Sequence, residues 1–220
     1  MSKVLAITTL FCFLMLSSAL AAPINWTSWS LIDGGAGATG TVVQNGTTVA
    51  VTYTGNAEWL SPASYWSEST PAPYTGNSVV DNRPMSGISI SAASTGNTMT
   101  FSHNLINPVF ALYSVGRTSL QVDYAFDQPF TLLSEGNGHW GDGSFSVNGN
   151  TLSGYEGHGI IQFTGEISSI SWDNPYAENH HGFTLGVVAN TGPATVPEPG
   201  TFLLLGSGLA GLAFYRRKRK

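Results

Sequence analysis

Between residues 24 and 195 the chain has no apolar repeat of helical period longer than one turn; a series of short alternating segments runs there instead. That pattern restricts the fold more than any other feature, because side chains that alternate in and out of a core belong to strands. In 120–127, LQVDYAFD, the residues Leu120, Val122, Tyr124 and Phe126 share one face, and Gln121, Asp123 and Asp127 take the other. Phe183, Leu185 and Val187 repeat the pattern, as do Ile88 with Ile90 and Ile170 with Trp172. The turns agree. Asn45-Gly46 and Asn148-Gly149 each stand between β-prone flanks, where a type I′ hairpin turn needs positive φ. Gly96-Asn97 and Gly165-Glu166 carry the same signal in attenuated form. About a dozen short strands between Gly, Asn and Pro clusters predict an all-β fold, an antiparallel β-sandwich or jelly-roll-like body. Six tryptophans, all within this region, distinguish it from a low-complexity Ser/Thr/Gly chain with no core.

Two stretches read as connections. Residues 55–86 hold Pro62, Pro71, Pro73 and Pro84 among Trp59, Tyr65, Trp66 and Tyr74. Proline at this density removes ladder donors, so a long surface excursion is predicted. Residues 173–182, DNPYAENHHG, form a second polar connection before the last strand.

The ends differ from the body. Residues 1–22 open with Lys3, continue through an apolar run from Val4 to Leu16 and finish Ala19-Leu20-Ala21-Ala22, the layout of a secretory signal peptide. Signal peptidase and the general secretion machinery are the partners this implies. The single cysteine, Cys12, lies inside that segment, so no disulfide framework or thiol nucleophile is expected in the exported body. The expected exported domain spans 23–190, followed by a Pro/Gly/Thr linker at 191–200, an uncharged apolar segment at 201–215 and a basic end at 216–220. As a helix, the apolar segment reaches about 22 Å of a roughly 30 Å hydrocarbon core, a thin transmembrane anchor. The basic end would stay on the cytoplasmic side. Between the two ends the only cations are Arg83 and Arg117, against thirteen carboxylates; two minus thirteen leaves −11. Phosphate binding needs a basic face, so nucleic acid is excluded as a partner class. Gly206, Gly208 and Gly211 formally fit a dinucleotide-binding glycine pattern, but no βαβ context surrounds them.

The tail carries a resemblance. Pro197-Glu198-Pro199, then an apolar run with spaced glycines, then a basic cluster opening Arg216-Arg217, resembles the PEP-CTERM sorting signal of Gram-negative bacteria. The resemblance covers about the last 25 residues. It implies that exosortase, a membrane transpeptidase to which cutting at or near the Pro-Glu-Pro is attributed, is the processing partner. It further implies an inner-membrane intermediate, delivery to the cell surface or extracellular matrix, and association with exopolysaccharide or biofilm.

Candidate chemistry in the body is sparse. Aromatic residues in polar loops, Trp59, Tyr65, Trp66, Tyr74 and Trp140, are candidates for stacking on sugar faces. Glu156 and His158 would share a face of a strand, with His180 or His181 to complete a metal site. Glu135 and Asp142, in the turn-rich 135–143, would suit Ca2+ through hard oxygen ligands. Glu156 with Glu178 or Asp173 offers a carboxylate pair for a glycoside hydrolase. The leading expectation is a non-enzymatic structural or polysaccharide-associated surface protein. The alternatives are a secreted carbohydrate-active hydrolase and a calcium-dependent glycan-binding module.

Overall fold

The computed structural model describes residues 21–189. The described residues form one compact unit. Among them no helix is long and apolar enough to cross a membrane. The signal peptide and the apolar and basic segments predicted for the ends lie outside the described residues.

The described residues form fifteen strands, in chain order β1 (Ile24–Trp26), β2 (Ser28–Leu31), β3 (Gly37–Gln44), β4 (Thr47–Thr54), β5 (Trp59–Ser61), β6 (Gly87–Ile90), β7 (Ser94–Ile106), β8 (Val109–Val115), β9 (Val122–Phe126), β10 (Thr131–Glu135), β11 (Ser144–Asn148), β12 (Thr151–Tyr155), β13 (Gly157–Gln162), β14 (Glu166–Asn174) and β15 (His181–Val188). Among the described residues helix is limited to two single 3-10 turns, Asp33–Gly35 and Ala63–Trp66. One sheet runs β10-β13-β8-β15-β6-β5, with β1 added along the far half of β15; the other runs β11-β12-β9-β14-β7-β4-β3-β2. All pairings between these strands are antiparallel.

The sheets face one another across a single core. Phe110, Leu112, Phe183 and Leu185 from one sheet meet Val51, Tyr53, Tyr124, Phe126 and Trp172 from the other. Phe110 is its centre, stacked on Phe183 at 5.4 Å and edge-on to Trp172 at 5.4 Å. In β9 the expected alternation holds, with Val122, Tyr124 and Phe126 buried and Ala125 exposed.

The hairpin turns differ in detail. Asn45 (φ 51°) and Gly46 (φ 77°) are the two central residues between β3 and β4, both in the left-handed region a type I′ turn requires. In the second hairpin Asn148 pairs with Thr151, so the central residues are Gly149 and Asn150, one position later than the sequence suggests. Only Gly149 has positive φ (58°), which suits a glycine-first turn of the mirror-image kind. Gly96-Asn97 is no turn at all. It lies inside β7, where the pairing with β14 shifts register between Trp172 and Asn174. Gly96 (φ 69°) forms the kink of a bulge, and the Asn97 side chain is buried between Tyr53 and Asn174.

A second apolar cluster lies on the opposite face of the first sheet. Val109, Ala111 and Tyr113 of β8 and Ile160 of β13 pack there against Trp66, Tyr74, Val80 and Ile24. The Pro-rich excursion is therefore a structural layer, with β5 and a 3-10 turn at its start. It fastens itself down with short polar side chains. Glu68 accepts from the Tyr74 and Thr75 amides and the Thr75 hydroxyl, while Asn77 reaches the Ser134 hydroxyl on β10 at 2.9 Å.

Candidate functional site

The site forms at one end of the first sheet. Strand β8 lies between β13 and β15 and runs antiparallel to both, with Gly157 opposite Val115 and Gly182 opposite Tyr113. The end of β8 is thus flanked by the start of β13 on one side and the start of β15 on the other. This topology brings Glu156, just before β13, and Glu178, just before β15, around the same strand end. Both line a hollow of about 170 Å³ together with Ser114, Arg117, Trp140 and His180. A neighbouring hollow of about 270 Å³ shares Trp140 and Glu156 as walls and adds Thr118, Asp142 and Tyr155.

Two residues at the strand end depart from ordinary backbone. Ser114 (φ 52°) and Glu156 (φ 60°) are both left-handed without being glycine, where L side chains are crowded. The Ser114 hydroxyl donates to Glu156 Oε1. The Ser114 amide donates to Nδ1 of the buried His158 at 3.3 Å, and the Tyr74 hydroxyl lies at the same distance from that nitrogen. Glu156 and His158 therefore engage different atoms of Ser114, not a shared metal position. Their expected common strand face is lost because Glu156 precedes β13 and the β13–β8 register shifts between Gly157 and Gly159. Among the described residues no three His, Cys, Asp or Glu side chains are grouped to hold a metal ion.

Trp140 is held by a loop tied to the covering layer. Gly138 and Gly141 exchange backbone hydrogen bonds around it, and Asn137 joins Pro71, Thr70 and Ser69 through backbone and side chain. Its ring meets Tyr65 edge-on at 4.6 Å and His180 at 4.7 Å, and it stacks with Tyr113 at 5.3 Å. Glu178 is held from two sides. Its Oε1 accepts the Gly116 amide at 2.8 Å and lies 2.5 Å from His181 Nδ1.

Burial sets the electrostatics. It pushes the Glu156 carboxyl above the usual carboxylate range; the Ser114 hydrogen bond opposes the rise and nearby Glu178 adds to it. Burial, with His139 close by, lowers His158 to about 4, so its ring is neutral near pH 7. Burial also lowers His180. A carboxyl whose folded-state pKa lies above its unfolded one binds more protons folded than unfolded. It therefore withdraws stability as pH rises from the unfolded value through the folded one. Glu156→Gln is expected to raise the melting temperature at about pH 7 and to leave it unchanged at about pH 3, below both values. Solvent reaches this side chain, and screening limits the gain to about 0.5 kcal/mol. Thermal melts at the two pH values check this, and an equal gain at both would rule out the charge as its source.

The sequence candidates are divided by the fold. Trp59, Tyr65 and Trp140 remain half-buried and meet around His180. Trp66 and Tyr74 have no exposed surface; they anchor the covering layer and have no ring face to offer a sugar. Asp142 lies in the larger hollow, whereas Glu135 accepts the Phe145 amide at 2.7 Å and lines neither hollow. Asp173 is on the other sheet, bound to the Gly96 amide at 2.6 Å. Pro197, Glu198, Pro199, Arg216 and Arg217 lie outside the described residues. Sequence reasoning missed Ser114, Arg117, Thr118, Tyr155 and Asn179 as site residues. Ser114 had a signal, as the one polar residue in the otherwise apolar run of β8.

Fold and site together define an all-β, two-sheet domain with an aromatic-walled acidic groove at one strand end. Residues 195–220 match the PEP-CTERM protein-sorting motif. The chain thus carries a PEP-CTERM sorting domain over its last residues, which implies export and exosortase-mediated sorting to the cell surface. No curated protein and no solved structure matches it.

Proposed function

We propose that this exported β-domain is a polysaccharide-associated component of the cell surface or extracellular matrix, and that it meets glycan at the Trp140 groove. The observation that carries this reading is the pair of adjoining hollows sharing Trp140 and Glu156. An indole wall supplies an apolar plane for a sugar ring, while Asp142, Asn179 and Arg117 supply polar partners for its hydroxyls. The sorting tail supports the setting, since it directs the domain to the surface where such polymers are met.

The test is co-sedimentation of the protein with the extracellular polysaccharide of its producing cells, with and without a calcium chelator. Retention is expected, with at least about a tenfold loss for Trp140→Ala. Retention unchanged in Trp140→Ala would remove the groove from the reading, and loss on chelation alone would make the module calcium-dependent. Processing is tested by intact mass: the mature protein is expected to end upstream of Lys220, and a product still ending there would contradict cleavage of the sorting tail.

A second reading, a carbohydrate-active hydrolase, is favoured by one observation. Glu156 and Glu178 line the same hollow, and Glu156 is the carboxyl whose environment favours its protonated form. It predicts that the polymer shortens on incubation and that Glu156→Gln stops the shortening.

A further inference from the structure

We propose that the Trp140 groove recognises the ammonium group of an amino sugar, so that the glycan it takes carries free, de-N-acetylated amines. This rests on the glycan reading above and specifies the chemistry of the sugar.

Charge is the first argument. Two carboxylates in the walls of the hollows are open to a ligand, Asp142 and Glu156, against the single guanidinium of Arg117; Glu178, also in the lining, is taken up by the Gly116 amide and His181. Glu156 belongs to both hollows, so a ligand in either meets it. A neutral sugar would push water off these carboxylates and return only hydroxyl hydrogen bonds. An ammonium returns a charge-assisted bond and offsets the desolvation. The raised carboxyl of Glu156 points the same way, since its charge is poorly accommodated in the free protein. The wider field agrees. Thirteen carboxylates less Glu198 leaves twelve between residues 21 and 189, with two arginines, and Arg83 is turned inward to the Trp66 carbonyl. Such a surface steers cations toward it.

Trp140 is the second argument. An indole face attracts a cation more strongly than the other aromatic side chains do, and it also accepts the apolar face of a sugar ring. An amino sugar presents both features within one ring.

The experiment titrates the purified full chain calorimetrically with four probes of matched length: a glucosamine oligomer, its N-acetylated form, a neutral glucose oligomer and oligolysine. The titrations are run at a pH where the amines are protonated. The glucosamine oligomer is expected to bind at least about tenfold more tightly than the other two sugars, the scale of one charge-assisted hydrogen bond. Glu156→Gln and Asp142→Asn are each expected to reduce that preference. Asp142 is exposed, so its variant leaves the fold intact. Equal affinity for all three sugars would overturn the amino-sugar inference and leave the glycan reading standing. No binding of any sugar would overturn both. Oligolysine binding as tight as glucosamine, or a preference untouched in both variants, would reduce the effect to general charge attraction and overturn the site.

Discussion

Trp66→Ala is expected to cost about 3–5 kcal/mol of stability, the usual range for emptying a large buried aromatic site. Trp66 is fully buried between Tyr113 of the sheet, at 4.8 Å, and Tyr74 of its own excursion, at 5.4 Å. Its indole N–H donates to the Ser61 hydroxyl at 2.9 Å, and its carbonyl accepts from Arg83 at 3.2 Å. One side chain thus joins sheet, β5 and excursion. In a domain of this size the loss corresponds to a fall in melting temperature of about 10 °C. The consequence reaches the groove, because Tyr65, the preceding residue, is edge-on to Trp140. Trp66→Ala is therefore expected to weaken glycan retention without touching the hollows. Trp66→Phe, which keeps most of the burial and loses the hydrogen bond, should recover more than half of the stability. A melt for Trp66→Ala within about 2 °C of the parent would mean that the excursion is not part of the cooperative unit.

How much of this was legible depended on which face of the sheet a residue occupies. β9 was readable because Val122, Tyr124 and Phe126 face the core while Ala125 faces outward, so burial wrote an alternation into the sequence. β8 carries no such signal. All seven of its residues are buried, since Phe110 and Leu112 face the inter-sheet core and Val109, Ala111 and Tyr113 face the covering layer. The same cause hid the role of the excursion. Its prolines marked the stretch after β5 as a connection but hid the short strand at Trp59–Ser61, and nothing local indicates that Trp66 and Tyr74 turn inward. The site was half legible. Glu156, Glu178, Trp140 and Asp142 stood out as polar or aromatic residues among turns, but their convergence comes from the placement of β8 between β13 and β15. That order is fixed by long-range pairing, which no short window of sequence contains. Ser114 and Arg117, on the central strand and the turn after it, became visible only with that order.

Glu178→Ala is the second large effect, expected to cost about 3–5 kcal/mol, since two buried donors lose the one acceptor they share. The side chains of Glu178 and His181 are 2% and 0% exposed, and their atoms lie 2.5 Å apart. With alanine at 178, His181 keeps no hydrogen-bond partner at either ring nitrogen, because its Nε2 already has none. The Gly116 amide loses its acceptor as well. Glu178→Gln retains an oxygen for both donors and should cost only about 1–2 kcal/mol. The pair can be separated from the position by a cycle. Glu178→Leu combined with His181→Phe removes both polar groups, so the double variant is expected to be more stable than the sum of the single losses predicts. Denaturant melts of the four proteins measure the difference, and strict additivity would show that the pair is not coupled. The geometry also predicts an asymmetry with Glu156. Glu178 pins the turn that carries Arg117 to the start of β15, so its alanine variant should lower stability and glycan retention together. Glu156, poorly accommodated as a charge, should lose amino-sugar preference on conversion to glutamine while the protein gains stability. Opposite signs of stability change at two carboxylates of one hollow are what separates the group that positions the site from the group that meets the ligand.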